Sequence, residues 1–253
     1  MLAERRINGA RYLEAGTGWP VVLLHAFPLN ADMWRPQLER VPSGWHFIAP
    51  DLRGSTVADM ASAVLKLLDA LHIDGAVIGG LSMGGYVTLA LYRLEPERLH
   101  GMILADTRAT ADTPEARAQR ERLIALVRDK GSAAIAEEML PKLLGRTALQ
   151  ERHDLRTLVR EIAGNLPPQD VEAALTAMRQ RPDSTPLLDR ISFATLVICG
   201  DEDAATPLAE VEQLHQHIPR SRFVVLHGAG HLSNLEKPDE FSLALADFLV
   251  SNI

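Results

Sequence analysis

A serine between glycines is the first candidate for chemistry in this chain. Residues 80–84 read G-L-S-M-G, with an apolar run at 76–78 before them and a helix-like run at 84–94 after them. A strand, a glycine-flanked serine and a helix in this order are typical of a sharp turn that exposes the serine hydroxyl. The start of that helix would present amides and a positive dipole end to a developing oxyanion. We interpret Ser82 as a candidate nucleophile, with a simple turn serine as the alternative.

A serine hydroxyl is barely ionised at neutral pH, so a nucleophile needs a neighbouring base. His231 ends the small-residue loop H-G-A-G-H at 227–231, directly after an apolar run of strand length. This position favours His231 as the base, with a loop-capping histidine as the alternative. His227 is the local competitor, and we expect it to be structural. Four further histidines lie in or near charged, helix-like stretches and are expected to be solvated: His100, His153, His215 and His217.

The imidazole in turn needs a carboxylate that fixes its tautomer and stabilises the imidazolium. Residues 201–203, D-E-D, follow the strand-like run T-L-V-I-C-G. Asp203 lies deeper in this loop and is our candidate, whereas Asp201 is expected to be a strand-end residue. Asp106 closes the run M-I-L-A-D and is a rival, because it too stands at a strand terminus. The predicted chain order is Ser82, Asp203, His231.

Alternating strand-like and helix-like runs must position these side chains. A hairpin is predicted at 4–14, where Asn8-Gly9 suits a tight turn with positive φ. Continuous apolar runs of strand length, as expected where both faces of a sheet are covered, occur at 20–24, 46–51, 75–80, 101–106, 195–201 and 222–228. Helical patterns lie between most of them. The sequence therefore predicts an α/β fold with a mainly parallel, twisted sheet flanked by helices.

The stretch from 107 to 188 departs from this alternation. It contains helix-like segments at 114–131, 132–140, 148–164 and 168–181 and no convincing strand. A helical block between two core strands indicates an insertion packed over the strand ends, where open parallel sheets bind ligands. We predict a core of residues 1–106 and 189–253 and a helical lid, or cap, of residues 107–188, with a separate domain as the alternative.

Composition limits the classes of partner. The chain has 253 residues, a formal net charge of −7 and no Lys/Arg stripe, so nucleic-acid binding is not expected. The N-terminal residues lack the apolar stretch of a signal peptide, and no apolar run approaches the length of a membrane span, so no membrane association is expected. The single cysteine fits a reducing compartment, and a cytoplasmic location is the expectation. The oligomeric state stays open.

The serine motif, the order of the three candidates and the helical insertion resemble the α/β-hydrolase superfamily over essentially the whole chain. The segments H-A-F-P-L-N-A-D-M-W (25–34), D-L-R-G (51–54), G-D-E-D-A-A-T-P (200–207) and G-A-G-H-L-S-N-L-E-K-P (228–238) are similar to its 3-oxoadipate enol-lactonase-like and small carboxylesterase branch. The resemblance implies an oxyanion hole formed by the backbone N–H groups of Phe27 and Met83. It also implies that Asp203 is the catalytic acid.

Two positions depart from the family pattern. Ala26 stands where the family usually has a glycine, which is tolerable if the backbone there has negative φ. After Arg53-Gly54 the chain passes almost at once into a helix that Thr56 and Asp59 are placed to cap, whereas the family usually has a longer loop. Either the loop is short in this protein or residues are missing from the sequence.

Further residues are candidates for the substrate pocket, although ordinary core packing is the better interpretation for them. They are His25, Leu29, Trp34 and Met139. Cys199 lies among apolar residues and is expected to be a buried, inert thiol. The charged segments at 4–7 and 117–123 are interpreted as solvated. No cluster has metal-ligand spacing and the glycines form no dinucleotide motif, so neither a metal nor another cofactor is expected.

The sequence thus predicts a cofactor-free serine hydrolase that cleaves small carboxylic esters or lactones through an acyl-enzyme. A serine at the turn argues against the dehalogenases and epoxide hydrolases of the superfamily, which have aspartate there. Two different enzyme activities would keep the same triad, a carbon–carbon bond hydrolase and a cofactor-free perhydrolase. The alternative of a different class is a small-molecule receptor on the same scaffold, which would keep the triad but turn its ligand over slowly.

Overall fold

The computed structural model of the chain describes residues 1–252. Eight strands form one sheet in the order β1-β2-β4-β3-β5-β6-β7-β8. Their bounds are Ala3–Ile7 (β1), Ala10–Gly16 (β2), Trp19–Leu24 (β3), Trp45–Pro50 (β4), Ala76–Leu81 (β5), Leu99–Ala105 (β6), Thr195–Gly200 (β7) and Ser221–Leu226 (β8). β2 pairs antiparallel with β1 and β4, and the remaining pairs are parallel. The predicted α/β fold is confirmed.

The hairpin at the edge of the sheet follows the predicted turn chemistry. Asn8 and Gly9 join β1 to β2 with φ of 49° and 83°, the left-handed region that Asn and Gly tolerate best. Every residue of β5 and of β7 is buried, as the continuous apolar runs in these two strands predict.

Helices connect the strands and cover both faces of the sheet. Outside the insertion they are Arg35–Leu38 (α1), Val57–Ala70 (α2), Met83–Leu94 (α3), Leu208–His217 (α9), Ser233–Glu236 (α10) and Pro238–Asn252 (α11). In this sequence the loop after Gly54 is short, because α2 begins at Val57. Thr56 accepts a hydrogen bond from the Asp59 amide (3.0 Å), and Asp59 accepts one from the Thr56 amide (3.1 Å). This reciprocal capping confirms the predicted helix start.

Between β6 and β7 lie helices and no strand within the described residues. The helices are Pro114–Lys130 (α4), Ser132–Leu143 (α5), Arg146–Glu151 (α6), His153–Gly164 (α7) and Pro168–Gln180 (α8). The stretch 148–164, predicted as one helical segment, is two helices, because Arg152 (φ −112°, ψ 72°) leaves the helical region.

Apolar side chains on the two faces of the sheet form two separate core clusters. Along β3, Val22 and Leu24 belong to one cluster, while Val21 and Leu23 belong to the other. The first cluster includes side chains of α2, α3, α4 and α8, and the second includes side chains of α5, α7 and α11. The insertion therefore shares its apolar packing with the core. No helix in residues 1–252 is long and apolar enough to cross a membrane.

Candidate active site

Ser82 occupies a strained turn between β5 and α3. Its backbone has φ 55° and ψ −112°, outside the regions that non-glycine residues favour. The Ser82 amide donates to the Ala105 carbonyl (2.9 Å), and the Ser82 carbonyl accepts from the Thr107 hydroxyl (2.7 Å). These hydrogen bonds to residues at the end of β6 hold the turn in place.

Close backbone contacts explain the glycines on either side of Ser82. A Cβ at Gly80 would overlap the backbone of Gly84, and a Cβ at Gly84 would overlap the carbonyl of Leu24. Contacts across the turn and against β3 therefore explain why small residues are required at both positions.

His231 lies in the loop after β8 and connects the serine to an acid. Its Nε2 lies 2.8 Å from Ser82 Oγ, and its Nδ1 lies 2.8 Å from Asp203 Oδ2. The imidazole is buried, with 4% of its side-chain surface exposed. With Nδ1 protonated towards the carboxylate, Nε2 faces the serine as an acceptor.

Asp203 is held in the orientation that its contact with His231 requires. The second carboxylate oxygen, Oδ1, accepts hydrogen bonds from the amides of Ala205 and Thr206, both at 2.8 Å. The side chain is fully buried. Two amides and an imidazole together stabilise an ionised carboxylate in this dry environment.

The rival acid, Asp106, lies beside Asp203 but contacts other groups. Asp106 Oδ1 accepts a hydrogen bond from the Gly200 amide (2.9 Å), and its Oδ2 accepts one from the Ser233 hydroxyl. Burial, reinforced by the negative charge of Asp203, raises the pKa of Asp106 well above its usual value. Asp106 therefore links the end of β7, which precedes Asp203, to the segment that follows His231.

Asp201 and His227, the local competitors of Asp203 and His231, form a separate pair at the surface. Asp201 Oδ2 lies 2.8 Å from His227 Nδ1, and Asp201 Oδ1 accepts the Gly228 amide at 2.7 Å. The His227 side chain is 85% exposed. This pair closes the turn after β8 and does not reach Ser82.

Glu236 is a structural element of the site that the sequence did not reveal. Its Oε2 accepts hydrogen bonds from the amides of Gly145 and Gly230, both at 2.9 Å, and burial raises its pKa. One carboxylate thus joins the loop before α6 to the loop that carries His231. No local pattern marks such a residue, because its partners lie 91 and 6 positions away.

The loop that carries Phe27, one of the two expected oxyanion donors, is fixed by a buried histidine, and the other donor, Met83, begins α3. Among residues 1–252, the amides of Phe27 and Met83 make no hydrogen bond to protein acceptors. His25 Nε2 accepts the Leu52 amide (2.8 Å), its Nδ1 donates to the Ala26 carbonyl (3.0 Å), and burial lowers its pKa. Ala26 does not have positive φ, so its methyl group is accommodated.

A cavity of about 270 Å³ opens onto Ser82 and His231. Of the four pocket candidates, Met139 lines it. His25 and Leu29 instead line a smaller neighbouring cavity of about 50 Å³, next to Met83. Trp34 lies in the core against Phe241, with ring centroids 5.8 Å apart, and lines neither cavity.

The cavity also contains charged side chains that the sequence did not indicate: Arg108, Asp112, Arg120 and Lys142. The interpretation of 117–123 as solvated was wrong for Arg120. This side chain is 19% exposed and its Nε lies 3.2 Å from Asp112. The helical packing of the insertion turns Arg120 inward, which mixed charges at helical spacing do not specify.

Asp106, Cys199 and Asp203 place three potential metal-ligand atoms within 4.8 Å of one another. Each side chain already has protein partners. Both carboxylates are hydrogen-bonded through both oxygens, and the Cys199 thiol donates to the Gly200 carbonyl (3.2 Å). Burial raises the pKa of Cys199, which keeps it a thiol rather than the thiolate that metals prefer. The donor set does not favour an ion.

Comparison with known proteins assigns the chain to a family. Residues 20–238 match the model of the alpha/beta hydrolase fold family. The chain belongs to this family. The 3-oxoadipate enol-lactonase 1 of Acinetobacter baylyi is 28% identical over 258 residues, covering 97% of this chain and 92% of that protein. This match confirms the resemblance to the enol-lactonase-like branch.

Two further α/β hydrolases are similar over most of their length. A pimeloyl-[acyl-carrier protein] methyl ester esterase of Neisseria meningitidis is 31% identical over 244 residues, covering 90% of this chain and 92% of that protein. A thermophilic esterase from Thermogutta terrifontis, solved with malate bound, superimposes with a TM-score of 0.92 at 38% identity. That match covers 99% of this chain and 98% of the esterase.

Proposed function

We propose that this α/β hydrolase cleaves small carboxylic esters or lactones through an acyl-enzyme on Ser82. The observation that carries the proposal is the unbroken series of hydrogen bonds from Ser82 through His231 to Asp203. Ser82 and His231 line the cavity, so a substrate bound there would reach them. The similarity to enol-lactonases and to esterases supports the same reaction class.

In the proposed first step, His231 Nε2 takes the proton of Ser82 as Oγ attacks the carbonyl carbon of the substrate. The amides of Phe27 and Met83 stabilise the oxyanion that forms. His231, now an imidazolium beside Asp203, returns the proton to the leaving alkoxide. A water molecule, deprotonated by His231, then attacks the acyl-enzyme, and the imidazolium returns this proton to Ser82 Oγ as the acid is released.

The helical insertion at 107–188 acts in this proposal as a lid that forms one wall of the cavity. Met139, Leu123 and Leu143 of the insertion line the same cavity as Ser82.

The substrate in this proposal is a small molecule, and the chain works in the cytoplasm, in line with its single buried thiol.

Hydrolysis assays test the proposal. Wild type is expected to hydrolyse short p-nitrophenyl esters or members of a lactone panel, and Ser82→Ala to lose at least about 10³-fold in kcat. Ser62→Ala, on the surface of α2, is the matched control and should behave as wild type. Equal rates for wild type and Ser82→Ala would refute the assignment of Ser82 as the nucleophile. A burst followed by very slow turnover would favour the receptor instead.

A further inference from the structure

The loop that carries His231 packs directly against the backbone of the helical insertion. Residues 143–147, called here the contact segment, run from the end of α5 to the first turn of α6. A Cβ at Gly145 would overlap the Gly230 amide, and a Cβ at Gly230 would overlap the Gly145 amide. No side chain separates the two backbones at this point, so the position of one depends on the position of the other.

Glu236 binds the contact segment and both chain neighbours of His231 with one carboxylate. Its Oε2 accepts the amides of Gly145 and Gly230, both at 2.9 Å, and its Oε1 accepts the Leu232 amide at 3.2 Å. The residue is buried, with 5% of its surface exposed. Because residues 230 and 232 flank the histidine, this carboxylate fixes the backbone on either side of the imidazole.

Glu202 binds the same contact segment from the loop of the proposed acid. Its Oε2 accepts the Thr147 amide (2.7 Å), and its Oε1 accepts the Thr147 hydroxyl (2.8 Å). These hydrogen bonds hold the pKa of Glu202 below its usual value. Glu202 directly precedes Asp203, and its own amide donates to the Ala229 carbonyl (2.8 Å). The acid loop, the histidine loop and the contact segment are therefore joined to one another.

These contacts lie outside the space that a substrate would occupy. Within residues 1–252, the lining of the cavity at Ser82 includes none of Glu202, Glu236 and Thr147. Hydrogen bonds from amides to an ionised carboxylate are stronger than those between neutral groups. A change in any of these three side chains would reach the reacting atoms only through the loops that it holds.

We propose that Glu236 and Glu202 are positioning residues, which use the contact segment to hold His231 and Asp203 at the distances that catalysis requires. The insertion then has a second role besides forming one wall of the cavity, because it provides the common support of the two loops. This inference rests on the proposed function, since the geometry that is held is that of the serine, the histidine and the acid.

Glu236→Gln tests the histidine side of this arrangement. The side chain keeps its shape, but in either orientation its NH2 group faces at least one backbone N–H and cannot accept from it. We expect kcat for a short p-nitrophenyl ester to fall at least about twentyfold, because a misplaced base slows both acylation and deacylation. KM should change less than about twofold. Glu151→Gln, at an exposed position of α6, is the matched control and should keep the wild-type kcat.

Thr147→Val tests the insertion side and removes one hydroxyl outside the cavity. Glu202 Oε1 loses its closest donor, so kcat should fall about threefold to tenfold with KM unchanged. Thr147→Ser keeps the hydroxyl and should restore the wild-type kcat. Thr157→Val is the matched control on the exposed surface of α7, because Thr157 donates only to the His153 carbonyl of its own helix (3.1 Å).

Labelling separates a positioning role from a role in stability alone. Each variant is assayed well below its own melting temperature, and its rate of reaction with a fluorophosphonate, which needs His231 but no natural substrate, should fall in parallel with kcat. If Glu236→Gln and Thr147→Val melt at lower temperature but keep kcat and labelling rate within about twofold of wild type, the positioning proposal is overturned while the hydrolase stands.

The remaining outcomes are also decisive. If Glu236→Gln does not fold, the comparison of Thr147→Val with Thr147→Ser decides alone, and equal kcat of these two variants overturns the positioning proposal. If wild type hydrolyses no ester and no lactone, and Ser82 does not react with the fluorophosphonate, the proposed function itself is refuted and the positioning proposal falls with it.

Discussion

Two buried carboxyl groups, Asp106 and Asp203, lie side by side near His231, and their hydrogen-bond partners differ. Asp203 accepts two amide hydrogen bonds and faces His231, whereas Asp106 accepts one amide and one hydroxyl. Like charges in a dry site do not both ionise. Burial and the neighbouring carboxylate of Asp203 raise the pKa of Asp106, whereas Asp203 is the one that contacts His231, so the two residues have different roles.

Substitution of each acid by its amide separates these roles. Asp203→Asn should lower kcat about 10³- to 10⁴-fold, because an amide favours the wrong imidazole tautomer. Asp106→Asn should keep kcat within about tenfold of wild type, since an amide resembles the neutral carboxyl. Steady-state kinetics on one p-nitrophenyl ester measure both. An inactive Asp106→Asn with an active Asp203→Asn would reverse the assignment.

Asp106 also predicts a pH dependence of stability. Its pKa is raised in the folded protein, so the native state keeps a proton that the unfolded chain releases above about pH 4. Wild type therefore loses stability as the pH rises from about 4 towards the raised pKa, by up to about 1.4 kcal/mol per pH unit. The Asp106→Asn variant does not lose stability in this way, because an amide does not ionise in this pH range.

The difference in melting temperature, Asp106→Asn minus wild type, should accordingly grow between pH 4 and pH 7. Asp74→Asn, at an exposed position, provides the control. A difference that does not change with pH would show that Asp106 is ionised in the folded protein.

At the scale of elements, the turn at Ser82 depends on how closely α3 approaches β3. A Cβ at Gly84 would overlap the Leu24 carbonyl, which belongs to the sheet backbone and cannot move aside. The packing of α3 against β3 therefore imposes the conformation of Ser82. The local glycines allow this conformation but do not enforce it.

Gly84→Ala should destabilise the fold by at least about 2 kcal/mol, because it forces α3 away from the sheet. Gly164→Ala is the matched substitution at the end of α7, where the nearest heavy atoms lie 3.7 and 3.8 Å away. It should leave stability unchanged or raise it by up to about 1 kcal/mol. Urea denaturation compares the two. Equal stability would show that the approach of α3 to β3 is not limiting.

Sequence patterns predicted the elements well where the signal is local. The apolar run at 195–201 became β7, since a buried parallel strand needs an unbroken apolar segment. The run at 222–228 became the edge strand β8, in which Leu226 alone is buried. The candidates Ser82, Asp203 and His231 were found because each stands in a loop at the carboxyl end of a strand. The hydrogen bonds that join them required the structure.

At the scale of the whole molecule, the insertion and the core share one packing arrangement. Leu123 of α4 and Leu175 of α8 belong to the same cluster as Val22 of the sheet. Ile162 of α7 packs against the cluster that contains Val21. The inward orientation of Arg120, like the burial of Trp34, follows from these long-range contacts, which helical periodicity alone does not encode.

This shared packing predicts that the molecule unfolds in one step. All three tryptophans, Trp19, Trp34 and Trp45, lie outside the insertion, whereas helices α4–α8 contribute much of the helical signal. Thermal melts followed by tryptophan fluorescence and by circular dichroism at 222 nm should have the same midpoint. A circular dichroism transition at lower temperature would mean that the insertion unfolds independently.

The proposed mechanism depends most on the reactivity of Ser82, and covalent labelling measures it directly. A fluorophosphonate reacts with an activated serine hydroxyl irrespective of the natural substrate. Intact-mass analysis and peptide mapping should find one adduct per chain of wild type, on the peptide that carries Ser82. His231→Ala should react far more slowly and Ser82→Ala not at all. An unlabelled wild type, or an adduct that persists in Ser82→Ala, would contradict the mechanism.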